Sequence, residues 1–362
     1  MKKFKRVTAL LLSLAMFAGI AGCGDGSGND SGDGSSADMS IVISHQPQNH
    51  GLPSYIAEQE GYFEKNGLDA EILYFTAGTA QSEALGANEW DVGVMGVPPA
   101  ASSGLAYDAK IIGLAADDTM ACNYWVRPDS EIAGISGQVD GHPEILGDAD
   151  SWRGKTILCP TGTSAHYLLI ATLNLLGLTE DDVEIVHMDV PSAFAAFKAG
   201  QGDICALWDP QSKQAAKEGW VMASAGQWTG TQVYNVIVAS KKAIEEKPEA
   251  VLTWLRTYYE VCEDYKDDKE GQAKYLLELQ LDNGLDVDEE IVTAIVNERP
   301  MPTLADQAEL WAGEPGERPV DKIVYDMFDY FVASGQYEPS DREYLESINF
   351  VDDTFIKQLL SE

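Results

Sequence analysis

The sequence predicts an α/β protein built from repeated strand–turn–helix units, and three observations carry that reading. Residues 152–210 alternate short apolar runs with apolar segments of helical length: Thr156-Ile157-Leu158-Cys159, then 167–176 ended by Gly177, then 183–188, then a helix ended by Gly200, then 203–210. The same alternation recurs over residues 40–116. The turns between are rich in Gly, Pro and hydroxyls, as in Pro160-Thr161-Gly162-Thr163-Ser164. Alternating strands and helices imply parallel sheets, whose ligands sit outside the carboxyl ends of the strands. Residues 39–362 exceed one typical domain and fit two.

At the N-terminus Lys2, Lys3, Lys5 and Arg6 precede an apolar run over 7–20 and then Ala21-Gly22-Cys23. A basic head, an apolar stretch shorter than a membrane span and a small-residue end predict a signal peptide over 1–22. Residues 23–38 hold Gly, Ser, Asp, Asn and Ala after Cys23, a composition that builds no core and serves as a flexible linker. Removing residues 1–22, with four positive charges and no negative ones, takes the net charge from −35 to −39. So acidic a body argues against nucleic acid and anionic lipid surfaces as partners; its plainest role is solubility. It also means that any anion site must rely on local donors.

In chain order, 40–44 reads as a strand and 45–52 as a loop. Pro53 starts a helix, 69–75 is a strand, and Gly78-Thr79 turns into a helix that ends near Gly86. Residues 90–96 form a third strand, Val97-Pro98-Pro99 opens another helix, and 111–116 is a fourth strand. Residues 129–151 read as a long loop. In the central stretch, Thr163 and Ser164 sit where a helix begins, beside backbone N–H donors suited to an anion or a polar ligand atom. Ser192 reads as a helix cap, and 203–210 delivers a Trp208-Asp209-Pro210 corner. Residues 235–239 make one more strand. From Lys241 the chain turns helical, with Val251, Leu255, Tyr258 and Cys262, and then Val320, Ile323, Val324, Met327, Phe328 and Phe331, at helical spacing. These helices are expected to pack on the first lobe.

Cys122, Cys159, Cys205 and Cys262 form no C-x-x-C pair, and the five histidines fall into no metal-ligand spacing, so no metal or cofactor is expected. Ser164 and His166 are two apart on a helix and face different ways, and the stretch lacks the closing glycine of a nucleophile elbow, which argues against an enzyme. No Walker motif occurs.

Several segments together resemble a known family. They are Pro53 through Asp69 (P-S-Y-I-A-E-Q-E-G-Y-F-E-K-N-G-L-D), G-T-A-Q-S-E-A-L at 78–85, W-D-V-G-V-M-G-V-P-P-A at 90–100, W-R-G-K-T-I-L-C-P-T-G-T-S-A-H-Y at 152–167, G-L-T-E-D-D-V-E-I-V at 177–186 and F-K-A-G-Q-G-D-I-C-A-L-W-D-P at 197–210. In this order they resemble the substrate-binding proteins of nitrate, sulfonate and taurine ABC transporters, within a superfamily that also holds binding proteins and synthases for the pyrimidine half of thiamine. The cysteine-rich motif of those synthases is missing here. Ile20-Ala21-Gly22-Cys23 resembles a bacterial lipobox, which implies cleavage before Cys23, lipid on its sulfur and a place on the outer face of the cell membrane.

The resemblance implies a periplasmic-binding-protein type II fold: two α/β lobes joined by two hinge crossovers, near 119–126 and 232–239. Lobe 1 would take 39–120 and 236–362, and lobe 2 121–235. It further implies a monomer that closes on a solute and hands it to a permease driven by an ATPase. Carried over by position, the ligand-binding residues are Ser44, His45, Gln46, Gly78, Thr79, Met95, Gly96, Val97, Thr161, Thr163, Ser164, His166, Trp208 and Asp209. His45 reads equally as a surface loop residue, His166 as a solvent-facing helix residue, and Asp209 before Pro210 as a capping pair. Asp209 opposite the donors at Thr163 and Ser164 suits a taurine-like solute with a cationic and an oxygen-bearing end. The alternative is a pyrimidine stacked on Trp208 with its amine on Asp209; a sensor or adhesin on the same fold is a reading of another class.

Overall fold

The structure is a computed structural model that describes residues 38–362. The signal peptide, Cys23 and all but the last residue of the linker lie outside the described residues. Ten strands make two five-stranded sheets. The first holds β1 (Ser40–His45), β2 (Asp69–Tyr74), β3 (Val92–Gly96), β4 (Lys110–Asp117) and β10 (Tyr234–Ala239), in the order β2-β1-β3-β10-β4. The second holds β5 (Asn123–Val126), β6 (Thr156–Cys159), β7 (Glu184–His187), β8 (Ile204–Leu207) and β9 (Val221–Ala225), in the order β7-β6-β8-β5-β9.

The sheets are mixed, not purely parallel as the strand–helix alternation implies. β1 pairs in parallel with β2 and β3, and β6 with β7 and β8. β10, however, runs antiparallel between β3 and β4, and β5 runs antiparallel between β8 and β9. The reason is connectivity. The chain leaves the first sheet after β4, builds the second, and returns through β10, so each sheet contains a strand that enters against the local direction.

Alternation along the second sheet sorts side chains into two cores. Tyr124, Val126, Ile157, Cys159, Ile204 and Ala206 enter one core, while Trp125, Leu158, Cys205 and Leu207 enter the other. Tyr124 and Trp125 are therefore sheet residues on opposite faces, each in its own core. β8 is buried throughout, which is why it reads as an unbroken apolar run. The first sheet shares one large core with the C-terminal helices Pro248–Tyr265, Lys269–Asp282, Glu289–Glu298 and Pro319–Ala333. Tyr167 and Ile170, from the helix Ser164–Leu175 of the second lobe, join that core as well.

Three local expectations change. β9 was not foreseen, because Val221-Met222-Ala223-Ser224-Ala225 is short and mostly small. The cap of the helix Val190–Lys198 is Asp189, whose carboxylate accepts from the Ser192 N–H at 2.8 Å; Ser192 supplies the donor and not the cap. The stretch 129–151 also has structure of its own: Asp148 and Ser151 form a reciprocal capping box for the short helix Ala149–Trp152, which buries Trp152.

The two crossovers are bonded to each other. The Asp118 N–H donates to the Val233 carbonyl at 2.7 Å, the Val233 N–H to Thr119 Oγ1 at 3.0 Å, and the Gly226 N–H to the Cys122 carbonyl at 3.3 Å. A Cβ on Gly226 would lie 2.4 Å from the Thr119 carbonyl oxygen, so only glycine allows this approach. Gly226→Ala is expected to cost about 1–3 kcal/mol, read as a lower urea midpoint at unchanged slope. Wild-type stability in that variant would mean the crossovers are free to separate.

Candidate ligand-binding cleft

Between the carboxyl ends of the two sheets lies a narrow cavity, lined from both sides. The first lobe contributes Gln46, Gln48, His50, Gly78, Gly96 and Pro99; the crossovers contribute Asp118, Cys122, Val233 and Asn235; the second lobe contributes Thr163, Ser164, Trp208 and Asp209. Arg299, just past the helix Glu289–Glu298, completes the lining.

The floor on the first-lobe side is a chain of amides. Gln81 Nε2 donates to Ser44 Oγ at 2.7 Å and to the Val94 carbonyl at 3.0 Å, and Gln81 Oε1 accepts from Gln46 Nε2 at 2.9 Å. Gln46 is thereby held at the cleft, with Ser44 beneath it. Gly78 leaves room for Pro99, since a Cβ there would meet the Pro99 ring at 2.6 Å.

On the facing side Thr163 caps the helix Ser164–Leu175. Its hydroxyl donates to the Pro160 carbonyl at 2.6 Å and accepts from the Ala165 N–H at 3.2 Å, so it is committed to the turn. Ser164 takes the approach between lobes: a Cβ on Gly96 would lie 2.6 Å from Ser164 Oγ. The missing side chain of Gly96 is what lets the two lobes meet there.

Arg299 is the electrostatic centre. Its Nη1 donates to Asp118 Oδ1 at 2.7 Å and its Nη2 to Asp209 Oδ2 at 3.1 Å, tying the C-terminal helices to the first crossover and to the second lobe. Asn235 donates to the other oxygen of Asp118. Arg299 is 3% and Asp209 1% exposed, and Arg299 Nε and Asp209 Oδ1 have no partner among the described residues. Such buried groups are costly unless something pairs with them. His50 Nδ1 is likewise unpartnered, and burial lowers its imidazole to about 4, leaving it neutral at physiological pH. Burial also pushes the Asp209 carboxyl up to about 6 against the pull of Arg299 and Lys213, with Asp118 and Glu298 adding to the rise.

Of the residues expected from sequence, Gln46, Gly78, Gly96, Thr163, Ser164, Trp208 and Asp209 come together around this cavity. The others sit elsewhere. His45 is buried beneath it, with Nε2 2.8 Å from Ser54 Oγ and its ring beside Trp254. Met95 and Val97 belong to the apolar core of the first lobe. Thr161 bonds His187 Nδ1 through its hydroxyl at 2.7 Å, and the Thr79 methyl lies 3.6 Å from where a Gly162 Cβ would stand. His166 faces away: Nε2 is 2.6 Å from Glu180 Oε1, and its ring packs on Phe331. All four cysteines of the described residues are buried and free.

Sequence reasoning passed over Asp118, Asn235, His50 and Arg299. An acid directly after the fourth strand was a usable signal for Asp118. For Arg299, paired across separations of 181 and 90 residues, the sequence offers no local signal.

A carboxyl raised from 3.8 to about 6 binds its proton more tightly in the folded state, so its contribution to stability falls as pH rises from about 4 to about 6 and is level above. Arg299→Ala, which leaves two carboxylates facing one another without their cation, is expected to cost about 3–5 kcal/mol at pH 8 by urea unfolding. The cost should shrink at pH 5, where Asp209 can take up a proton. An equal cost at both values would show that Asp209 does not titrate in this range.

The profile of the NMT1-like family matches residues 37–279. A Brachyspira hyodysenteriae protein named as an ABC transporter periplasmic binding protein is 29% identical over 314 residues, covering 86% of this chain and 89% of its own. The taurine-binding periplasmic protein of Escherichia coli is 23% identical over 232 residues, 63% of this chain and 67% of its own. Among solved structures, the alkanesulfonate-binding protein SsuA of Xanthomonas axonopodis, bound to MOPS, superposes with a TM-score of 0.65 at 22% identity, covering 83% of this chain and 95% of that one. The aliphatic sulphonate binding protein SsuA of E. coli gives 0.66 at 20% identity, over 84% and 91%. The fold is that of the periplasmic binding proteins, and the chain belongs to the NMT1-like family.

Proposed function

We propose that this protein is the extracytoplasmic solute-binding component of an ABC import system, holding a small polar organic solute of the taurine class in the interlobe cleft. The observation that carries the reading is a buried cleft lined from both lobes and both crossovers, in which Arg299 Nε and Asp209 Oδ1 lack partners. A solute that touches both lobes binds the closed arrangement better than an open one, and this difference drives closure by bending at the crossovers. The N-terminus of the helix Ser164–Leu175, with the Ser164 hydroxyl, offers donors to oxygens of the solute. Asp209 Oδ1 accepts from its amino end, and Trp208 gives an apolar wall. The closed protein then presents the solute to a permease powered by an ATPase. Lipid on Cys23 would hold the protein at the outer face of the membrane.

A second reading, an aminopyrimidine lying on Trp208 with its amine on Asp209, is favoured by the presence of both residues in the lining of the cleft.

Thermal unfolding against taurine, alkanesulfonates, nitrate, aminopyrimidines and thiamine tests both. A true solute at 100 times its Kd should stabilise by about 2.7 kcal/mol, and Asp209→Asn should abolish the gain. No shift from taurine or an aminopyrimidine would sink these ligand classes. Binding of a cationic head to Asp209 should weaken below pH about 6, by roughly tenfold at pH 5, as the carboxylate is protonated; affinity flat from pH 5 to 8 would remove Asp209 from the contact. Cys23→Ala should release the protein from the membrane fraction, and retention of that variant would count against the lipid anchor.

A further inference from the structure

The interlobe cleft, if it is the solute site as proposed above, also carries a statement about charge. Its lining holds one guanidinium, Arg299, and two carboxylates, Asp118 and Asp209. The terminal nitrogens of Arg299 are already occupied, Nη1 by Asp118 and Nη2 by Asp209. Two of the five guanidinium N–H groups are therefore committed to carboxylates, one on each terminal nitrogen, and Nε has no partner among the described residues. The neighbours do not restore the balance: His50 is neutral by burial, and the amide of Asn235 is committed to Asp118.

We propose that Arg299, the one cation among the described residues lining the cleft, sets the charge class of the solute: paired with both Asp118 and Asp209, it leaves the cleft one negative charge in excess. The solute accepted is a zwitterion or a cation whose ammonium or N–H group offsets that surplus charge. A net anion meets it inside a region where charges are weakly screened. Arg299 stands outside the segment matched by the family profile, and Asp118 and Asp209 lie within it.

The test is isothermal titration of the whole protein with size-matched probes: taurine as zwitterion, ethylamine as cation and ethanesulfonate as anion, joined by 4-aminopyrimidine. Wild type should bind taurine, ethylamine or 4-aminopyrimidine at least tenfold tighter than ethanesulfonate. Asp209→Asn, near-identical in shape, removes the surplus charge and should lower that preference at least tenfold. Asp118→Asn makes the same charge change behind Arg299 while keeping an oxygen that can accept from Nη1, and should move the preference in the same direction even if Asp209→Asn does not fold. Tighter binding of ethanesulfonate than of taurine to wild type, or a preference unchanged in both folded variants, overturns the inference while leaving a solute receptor intact. Binding of none of the four to wild type sinks the ligand classes proposed above and this inference with them.

Discussion

The rest of the molecule depends on one pairing: β10, returning from the second sheet, inserts antiparallel between β3 and β4 of the first. A strand in that place must be reached by a chain that has left the sheet and come back, so two crossovers run side by side and are bonded to each other. Everything between them belongs to the second lobe and everything outside to the first. Because β1, β3, β6 and β8 all end toward the gap, their terminal loops converge there, and the cleft is a consequence of topology before any side chain is chosen. Two short segments connect the two sheets, the arrangement that closure of rigid lobes on a solute requires.

What holds the lobes together beyond the crossovers is of two kinds. On the surface, Lys217 pairs with Asp288 and Glu290, both at 2.8 Å, and Lys213 pairs with Glu298. Exposed pairs of this kind are worth roughly 0–1 kcal/mol each and are screened by salt. In the interior, the bridge from Arg299 to Asp209 and the packing of Tyr167 on Tyr330 and Phe331 are desolvated and cost far more to break. The buried contacts are thus the costlier ones to lose, and the most polar of them line the cleft itself.

Much of the fold was legible because burial on both faces of a sheet writes a strand as a plain apolar run, as at 92–96 and 204–207, and because glycines and capping residues mark the helix ends. The mixed direction of the sheets was not legible from that alternation, since a run such as Asn123–Val126 carries no record of which way its neighbours point. In the cleft, the residues that could be read were those fixed by strand ends: Gly78, Gly96, Ser164, Trp208 and Asp209. His45 and His166 sit at equally suggestive places, yet their partners, Ser54 with Trp254 and Glu180 with Phe331, are set by helices whose docking the local sequence does not encode. Arg299 is the extreme case. It follows an amphipathic helix in a segment without a motif, and only the folded chain brings it between two acids.

That asymmetry bears on how such a protein changes its solute. The strand-end residues are bound to the topology: a side chain at Gly96 would displace Ser164 of the facing lobe, and one at Gly78 would displace Pro99 of its own. Arg299 is tied to the fold only through the two carboxylates it bridges, and it reaches the cleft from a helical region packed outside the first sheet. Exchanging it together with Asp118 or Asp209 for neutral residues would move the charges of the cleft without changing their sum, whereas removing it alone leaves buried carboxylates uncompensated. The fold thus separates what shapes the cleft from what charges it, and specificity can drift along the second without loss of the first.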